Sequence, residues 1–364
     1  MNFKKFISLL AAAVLVVVSF AGCSSNENSS SESSSNVIAS GDGIKVEVIG
    51  DGSDSSSSEE TSSDSEAMNV AMLKGPTAIG AVMLMKAQDE GTAEGNYNFT
   101  IDTAPDSVVS KVISGEVDVA AVPSNSAAAI YNKTEGGVVV AAVNTLGTLY
   151  LLENGDTINS VADLAGKTIN SSGQGAVPEY VLNYILAQSG TENVTVNFMQ
   201  AHDELAAAVA SGEVDNALLP EPYADVALAK NPDLRVALDI AQCYDEYSGV
   251  DKGEMPNTLP MGCIVIRKEY AENHPEEVQL FLDEYKKSIE EVNSNVEESA
   301  KYVVSYGIID DETVAKEAIP KCSIYYIDGD EMKSVMGSFL SIMNEANPKS
   351  IGGKMPGDDF YYAG

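Results

Sequence analysis

The stretch Ser114-Gly-Glu-Val-Asp118-Val-Ala120-Ala-Val-Pro123 recurs 97 positions later as Ser211-Gly-Glu-Val-Asp215-Asn-Ala217-Leu-Leu-Pro220, with seven of ten positions identical. Each copy follows a segment with helical apolar spacing, 106–113 in one case and 204–210 in the other. Glycine reaches the left-handed conformation without a Cβ clash, so Ser-Gly predicts the end of a helix. The Val-Asp-x-Ala run after it has the length and apolar density of a short buried strand. Helix, glycine stop, strand and loop form half of a βαβ unit, and two copies predict two similar lobes. Asp118 and Asp215 sit at strand starts and read as structural acceptors of backbone N–H groups.

Working outward, residues 68–73 predict a first strand, followed by Lys74-Gly75-Pro76-Thr77, with Thr77 placed to cap a helix over 78–88. The second lobe repeats this order. A strand over 167–169 leads into Asn170-Ser171-Ser172-Gly173-Gln174-Gly175 and then a helix over 178–188, with Pro178 in its first turn. Further strands are predicted over 138–143, 149–152, 235–240, 262–266 and 323–327, and helices over 275–293 and 311–318. This alternation predicts an α/β protein of two lobes, each a mostly parallel sheet flanked by helices.

The chain has 364 residues, 21 of them Lys or Arg and 55 Asp or Glu, for a net charge of −34. Such a balance repels phosphate backbones and excludes nucleic-acid binding through a basic face. The start, Met1-Asn-Phe-Lys4-Lys5 followed by an apolar run to Phe20 and Ala21-Gly22-Cys23, reads as an export signal over 1–22, too short for a spanning helix. Ala-Gly-Cys resembles a bacterial lipobox, which implies a diacylglycerol anchor on Cys23 and a location on the outer face of the cell membrane. Residues 24–66 hold 17 serines and ten acids, so 23–66 is expected to be a disordered tether in which 43–50 alternates like a stray strand. Loss of Lys4 and Lys5 with the signal leaves a charge of −36. The acids outside the tether read as a solvated surface.

Together the lipoprotein start, the Ser-rich tether, Leu73-Lys-Gly-Pro-Thr77, the repeated Ser-Gly-Glu-Val-Asp, Asp163-Leu-Ala-Gly166-Lys167-Thr168 and Glu221-Pro222-Tyr223 resemble the solute-binding proteins of bacterial ABC importers. The nitrate, sulfonate and taurine branch, which includes thiamine-precursor binders, is the most similar. The resemblance covers residue 68 to about 345 and implies a two-lobed periplasmic-binding-protein (Venus-flytrap) fold. It implies lobe 1 over 67–145 and 246–364, lobe 2 over 146–245, and crossings near 144–150 and 243–261 that would act as hinges. It also implies a small-molecule solute, a membrane permease with its ATPase as partners, a monomer, and no cofactor, metal or catalytic residue.

In open α/β sheets ligands bind beyond the carboxyl ends of the strands. Four loops meet that condition, and they supply the candidates Lys74, Gly75, Thr77, Ser124, Asn125, Ser171, Ser172, Gly173, Gln174, Glu221 and Tyr223, with Asn144 and Thr145 at the hinge. Hydroxyls and glycines there serve equally as helix caps and turns. Lys74 either pairs with an anionic solute or neutralises Glu221. With no Arg in these loops the expected solute is small, polar and organic, sulfonate-like or heterocyclic.

Cys243, Cys263 and Cys322 are odd in number and allow at most one disulfide. His202 and His274 read as exposed or capping. The enzyme alternative on this fold, a relative of pyrimidine synthases, would need a clustered Cys and His apparatus that the spacing does not offer. A ligand-sensing surface lipoprotein without transport is the other alternative.

Overall fold

The structure, a computed structural model, describes residues 66–364. The export signal, Cys23, the 43–50 segment and all of the 23–66 tether except Glu66 lie outside the described residues.

Along the chain come β1 (Met68–Leu73), α1 (Pro76–Ile79), α2 (Val82–Asp89), β2 (Tyr97–Asp102), α3 (Pro105–Ser114), β3 (Val119–Pro123), α4 (Ser124–Lys133) and β4 (Val138–Leu146). After two residues the second set begins: β5 (Leu149–Asn154), β6 (Thr168–Ser172), α5 (Val177–Ser189), β7 (Thr195–Met199), α6 (His202–Ser211), β8 (Asn216–Pro220), α7 (Tyr223–Lys230) and β9 (Leu234–Asp239). Helix α8 (Ile240–Ser248) leads back to β10 (Pro260–Arg267), α9 (Lys268–Asn273), α10 (Pro275–Ser294), α11 (Val296–Ser305), α12 (Glu312–Ala318), β11 (Ile324–Ile327) and α13 (Gly329–Ala346). One sheet has the order β11-β4-β10-β3-β1-β2 and the other β7-β6-β8-β5-β9.

The two copies of the repeat fold alike. Gly115 (φ 77°) and Gly212 (φ 76°) close α3 and α6 in the left-handed conformation. The following strands, β3 and β8, run parallel to β1 and β6. Asp118 Oδ2 accepts the Asn69 N–H at 3.0 Å, and Asp118 Oδ1 pairs with Arg267 at 2.8 Å. In the second copy the acceptor role passes from Asp215 to its neighbour: Asn216 Oδ1 accepts the Asn170 N–H at 3.0 Å.

Each sheet keeps the expected parallel majority and carries antiparallel strands, β10 and β11 in one and β5 in the other. β1, β2 and β3 are parallel, as are β6, β7 and β8, while β10 runs against β3 and β4, β11 against β4, and β5 against β8 and β9. The crossings impose the directions of β5 and β10. A strand entered from the other sheet starts at the junction and runs away from it, whereas strands within a βαβ unit end there.

Period-two alternation sends the two faces of each sheet into different cores. Ala120, Val122, Val140 and Val265 of one sheet and Leu149, Leu151 and Leu218 of the other share a single cluster with α5, α8 and α13. On the opposite faces each sheet has its own: Val70, Met72 and Ile264 pack with α2 and α10, and Leu152, Ala217 and Leu219 with α6 and α7. The sheets are therefore joined by apolar packing on one side only.

Two further expectations change. The helix expected over 78–88 breaks at Gly80-Ala81, because the Ser288 hydroxyl donates to the Gly80 carbonyl (2.7 Å) and accepts from the Leu84 N–H (3.1 Å), displacing the helical ladder. The crossing expected over 243–261 is loop only after Gly249 (φ 69°), since Cys243–Ser248 completes α8, with Tyr244 fully buried.

Candidate functional site

Register places the strand ends of both sheets at one junction. Leu146 pairs with Pro260, Pro123 with Gly262, Leu149 with Pro220, and Tyr150 with Asp239. Gly147 and Thr148 are the whole link between β4 and β5. Asn257, from the returning crossing, accepts the Gly147 N–H at 2.9 Å and donates to its carbonyl at 3.2 Å, so each crossing holds the other. A Cβ on Gly147 would lie 2.5 Å from the Ala241 Cβ, which fixes glycine there by close approach.

Glu221 stands at the end of β8 against this link. Its N–H donates to the Thr148 carbonyl at 2.9 Å, and its carboxylate is 4% exposed and accepts the Asp225 N–H through Oε2 at 3.2 Å. Burial, and next the nearby Asp225 charge, push its pKa up to about 7. Asp225 Oδ1 pairs with Lys321 at 2.7 Å, while Asp225 Oδ2 is buried without a hydrogen-bond partner. Lys321 follows α12 and Asp225 lies in α7, so this pair joins the sheets on the side where they share no core.

A second group forms at the end of β6. Ser172 is fully buried, its Oγ 2.6 Å from His202 Nδ1, and the His202 ring lies 5.1 Å from that of Tyr223. His202 and Tyr223 each open a helix, α6 and α7, which places both rings at the carboxyl ends of the preceding strands. Desolvation holds the His202 pKa below its ordinary value, against a smaller opposing pull from Asp203. The expectation that His202 is exposed or merely capping is thereby corrected. Reading 195–199 as a strand would have placed His202 at the junction.

The remaining candidates divide. Thr77 lies inside α1 rather than capping the expected helix, and its hydroxyl donates to the Leu73 carbonyl at 2.7 Å. Asn144 is buried and donates to the Thr77 carbonyl (3.3 Å) and to the Tyr285 hydroxyl (2.8 Å), and Thr145 bonds Asn144 at 3.4 Å. Ser171 is buried on its own strand with its hydroxyl on the Ser172 carbonyl. Gly75, Gly173 and Gly175 have φ of 126°, 76° and 74°, the turn conformation that glycine serves. Gln174 is exposed. Ser124 and Asn125 are not loop residues but the first turn of α4. Asn125 reaches the Ser350 carbonyl at 3.2 Å, and the Ser124 hydroxyl is buried without a hydrogen-bond partner. Lys74 is exposed and forms no ion pair among the described residues, and the cation beside Glu221 is Lys321.

Cys243, Cys263 and Cys322 are free thiols, and burial pushes Cys243 to about 11 and Cys263 to about 12. Among the described residues no group of three or more His, Cys, Asp or Glu could hold a metal, and no helix is long and apolar enough to cross a membrane. A cavity of about 470 Å³ lies away from the junction, against Tyr326, Lys333 and Tyr361.

Among solved structures, an ABC transporter protein from Parabacteroides distasonis superposes with a TM-score of 0.69 at 23% identity, over 81% of this chain and 98% of its own. The periplasmic aliphatic sulphonate binding protein SsuA of Escherichia coli gives 0.65 at 16%, over 82% and 92%. The ligand-binding component of an ABC-type import system from Staphylococcus aureus, with zinc bound, gives 0.61 at 13%, over 82% and 97%. At these identities the likeness shows a shared fold, the two-sheet α/β fold of periplasmic binding proteins. No curated protein matches the chain. The family model described as NMT1/THI5 like matches residues 98–299, more than half of the sequence, and the chain belongs to that family.

Proposed function

We propose that the protein is the extracytoplasmic solute-binding component of an ABC importer, a monomer that captures a small polar organic solute between two lobes and hands it to a membrane permease and its ATPase. The observation that carries this reading is the convergence of both sheets' strand ends on Gly147-Thr148, where Glu221 and the Ser172, His202 and Tyr223 group stand. The lobes are 67–145 with 246–364, and 146–245. They hinge on the side of the shared core and close on the side of Asp225 and Lys321, so solute favours the closed form through contacts made to both at once. The structural neighbours, an ABC transporter protein and a sulphonate binding protein among them, support capture rather than catalysis. Cys23 carries a lipid that holds the protein on the outer face of the membrane through the 23–66 segment.

Thermal-shift screening of the purified chain against sulfonates, amino acids, nucleobases and organic amines is the direct test, because a ligand bound by the folded state alone raises the melting temperature. Stabilisation by at least one class is expected. Its absence from every class would remove solute capture. Incorporation of labelled lipid, lost in Cys23→Ala, tests the anchor.

A further inference from the structure

Solute capture, if it occurs at the junction, has a definite chemical polarity. Two carboxylate oxygens and one hydroxyl there have no donor among the described residues, and of the three Asp225 Oδ2 is the one buried outright. Glu221 is 96% buried, and only its Oε2 is engaged; Oε1 has no partner among the described residues. Asp225 Oδ2 is buried with none. Thr148 is 2% exposed, its carbonyl holds the Glu221 N–H, and its hydroxyl likewise has no partner among the described residues. Apart from the His202 ring, which Ser172 engages at Nδ1 only, free donors there are few. Lys321 is committed to Asp225 Oδ1, and Asp239, on the neighbouring strand, is saturated by the Ala241 and Gln242 N–H groups and the Gln242 amide. Hydroxyls such as those of Thr148 and Tyr150 serve either way, and an ionised carboxylate only accepts.

Resting on the solute-capture reading, we propose that the solute carries a cationic or N–H-rich nitrogen that docks on Glu221 Oε1, with Thr148 and Asp225 beside it, and that an oxyanion alone is rejected. An oxyanion would bring further acceptors to Glu221 and Asp225, whereas an ammonium supplies the missing donors and restores the charge balance against two carboxylates and one lysine. The groups facing Glu221 are Asp225 from α7, Lys321 and Cys322 from the segment before β11, and Tyr150 from β5. Lys321 alone among them is cationic. Because burial already holds a proton on part of the Glu221 population near neutral pH, a docking cation displaces it.

The experiment is calorimetric titration of the full chain with ethylamine, 1,4-diaminobutane and arginine, with ethanesulfonate and nitrate, and with taurine, which carries both charges. It is run at pH 7 in two buffers of different ionisation enthalpy. The probes that carry an ammonium or guanidinium group are expected to bind and release a fraction of a proton, and to weaken tenfold or more in Glu221→Gln. Thr148→Val, which keeps the shape without the hydroxyl, is expected to weaken them several-fold. Binding of ethanesulfonate or nitrate alone, or cation binding unchanged in both variants, overturns the assignment of solute charge while leaving solute capture standing. Failure of every cationic probe overturns the assignment of solute charge, and solute capture falls only when the thermal-shift screen is negative as well.

Discussion

Lys321 Nζ lies 2.7 Å from Asp225 Oδ1, and this bond ties the two sheets together on the face where they share no apolar core. The opposite face is held by one continuous cluster through α5, α8 and α13. A half-exposed lysine on one edge and a shared core on the other is the asymmetry a hinge requires, since polar contacts at a mouth reform in water and buried packing does not. Lys321→Ala is expected to open the mouth. Small-angle scattering of the unliganded protein should show a larger radius of gyration than wild type, with a stability loss within about 1 kcal/mol. Asp225→Asn should open it less, because it also removes one of two neighbouring carboxylates. An unchanged radius in both variants would mean that the pair does not restrain the lobes.

Glu221 gives a pH signature. Its folded pKa, about 7, lies above its ordinary value of 4.5, so the folded state holds the proton more tightly. The associated stability is fully present below about pH 4.5 and is lost as pH rises through 7. Glu221→Gln, which keeps the neutral shape, should therefore melt higher than wild type at pH 8, by an amount on the order of 2 kcal/mol, and the difference should shrink toward pH 5. His202 works in the opposite sense. Burial lowers its pKa from 6.5, so its contribution is lost as pH falls below that value. Melting curves from pH 5 to 8 for wild type, Glu221→Gln and His202→Gln separate the two.

The repeat, with its glycine stops, was legible because a left-handed helix end and a short buried strand are local properties: Gly115, Gly212, β3 and β8 are where the residues place them. The β5 and β10 directions were not, because they depend on where the chain crosses between sheets rather than on periodicity. The break at Gly80 depends on Ser288, more than 200 residues away, and no window around Gly80 contains it. Glu221 stood out through its neighbours Pro222 and Tyr223. The other half of its surroundings, Lys321 and Thr148, reaches it only through tertiary packing. His202 was missed for a local reason, because without a strand over 195–199 it follows no strand end.

Gly147 tests whether the crossing is as tight as the distances indicate. Its φ lies in the ordinary region, so alanine meets no backbone strain. The cost comes from a Cβ at 2.5 Å from the Ala241 Cβ and 3.0 Å from Asn257 Oδ1. Overpacking of this kind costs about 1–3 kcal/mol. Gly147→Ala should lower the denaturation midpoint accordingly, and Gly147→Ala with Ala241→Gly should recover much of the loss by removing the atom that is struck. Gly75→Ala is the contrast. It has open space but a φ of 126°, so a second change that only makes room should not rescue it.

The Ser172 and His202 pair supplies the last test. At 2.6 Å the hydroxyl and Nδ1 form one hydrogen bond, and a neutral ring that accepts it from Ser172 keeps its own proton on Nε2, with the Tyr223 ring 5.1 Å away. Ser172→Ala removes the bond that orients the ring but keeps the ring itself. His202→Ala removes both, and leaves the buried Ser172 hydroxyl without its partner. If the pair only supports the fold, His202→Ala should cost about 1–3 kcal/mol and change solute affinity no more than stability predicts. If the ring touches solute, both variants should weaken the best ligand from the thermal-shift screen, His202→Ala more than Ser172→Ala. His202→Asn, which retains an N–H donor near the same place, should then recover part of the affinity. Calorimetry on these three variants at pH 7.5, where the ring is neutral, distinguishes the outcomes: parallel losses of stability and affinity confine His202 to a structural role, and a selective loss of affinity with partial recovery in His202→Asn places it in the site.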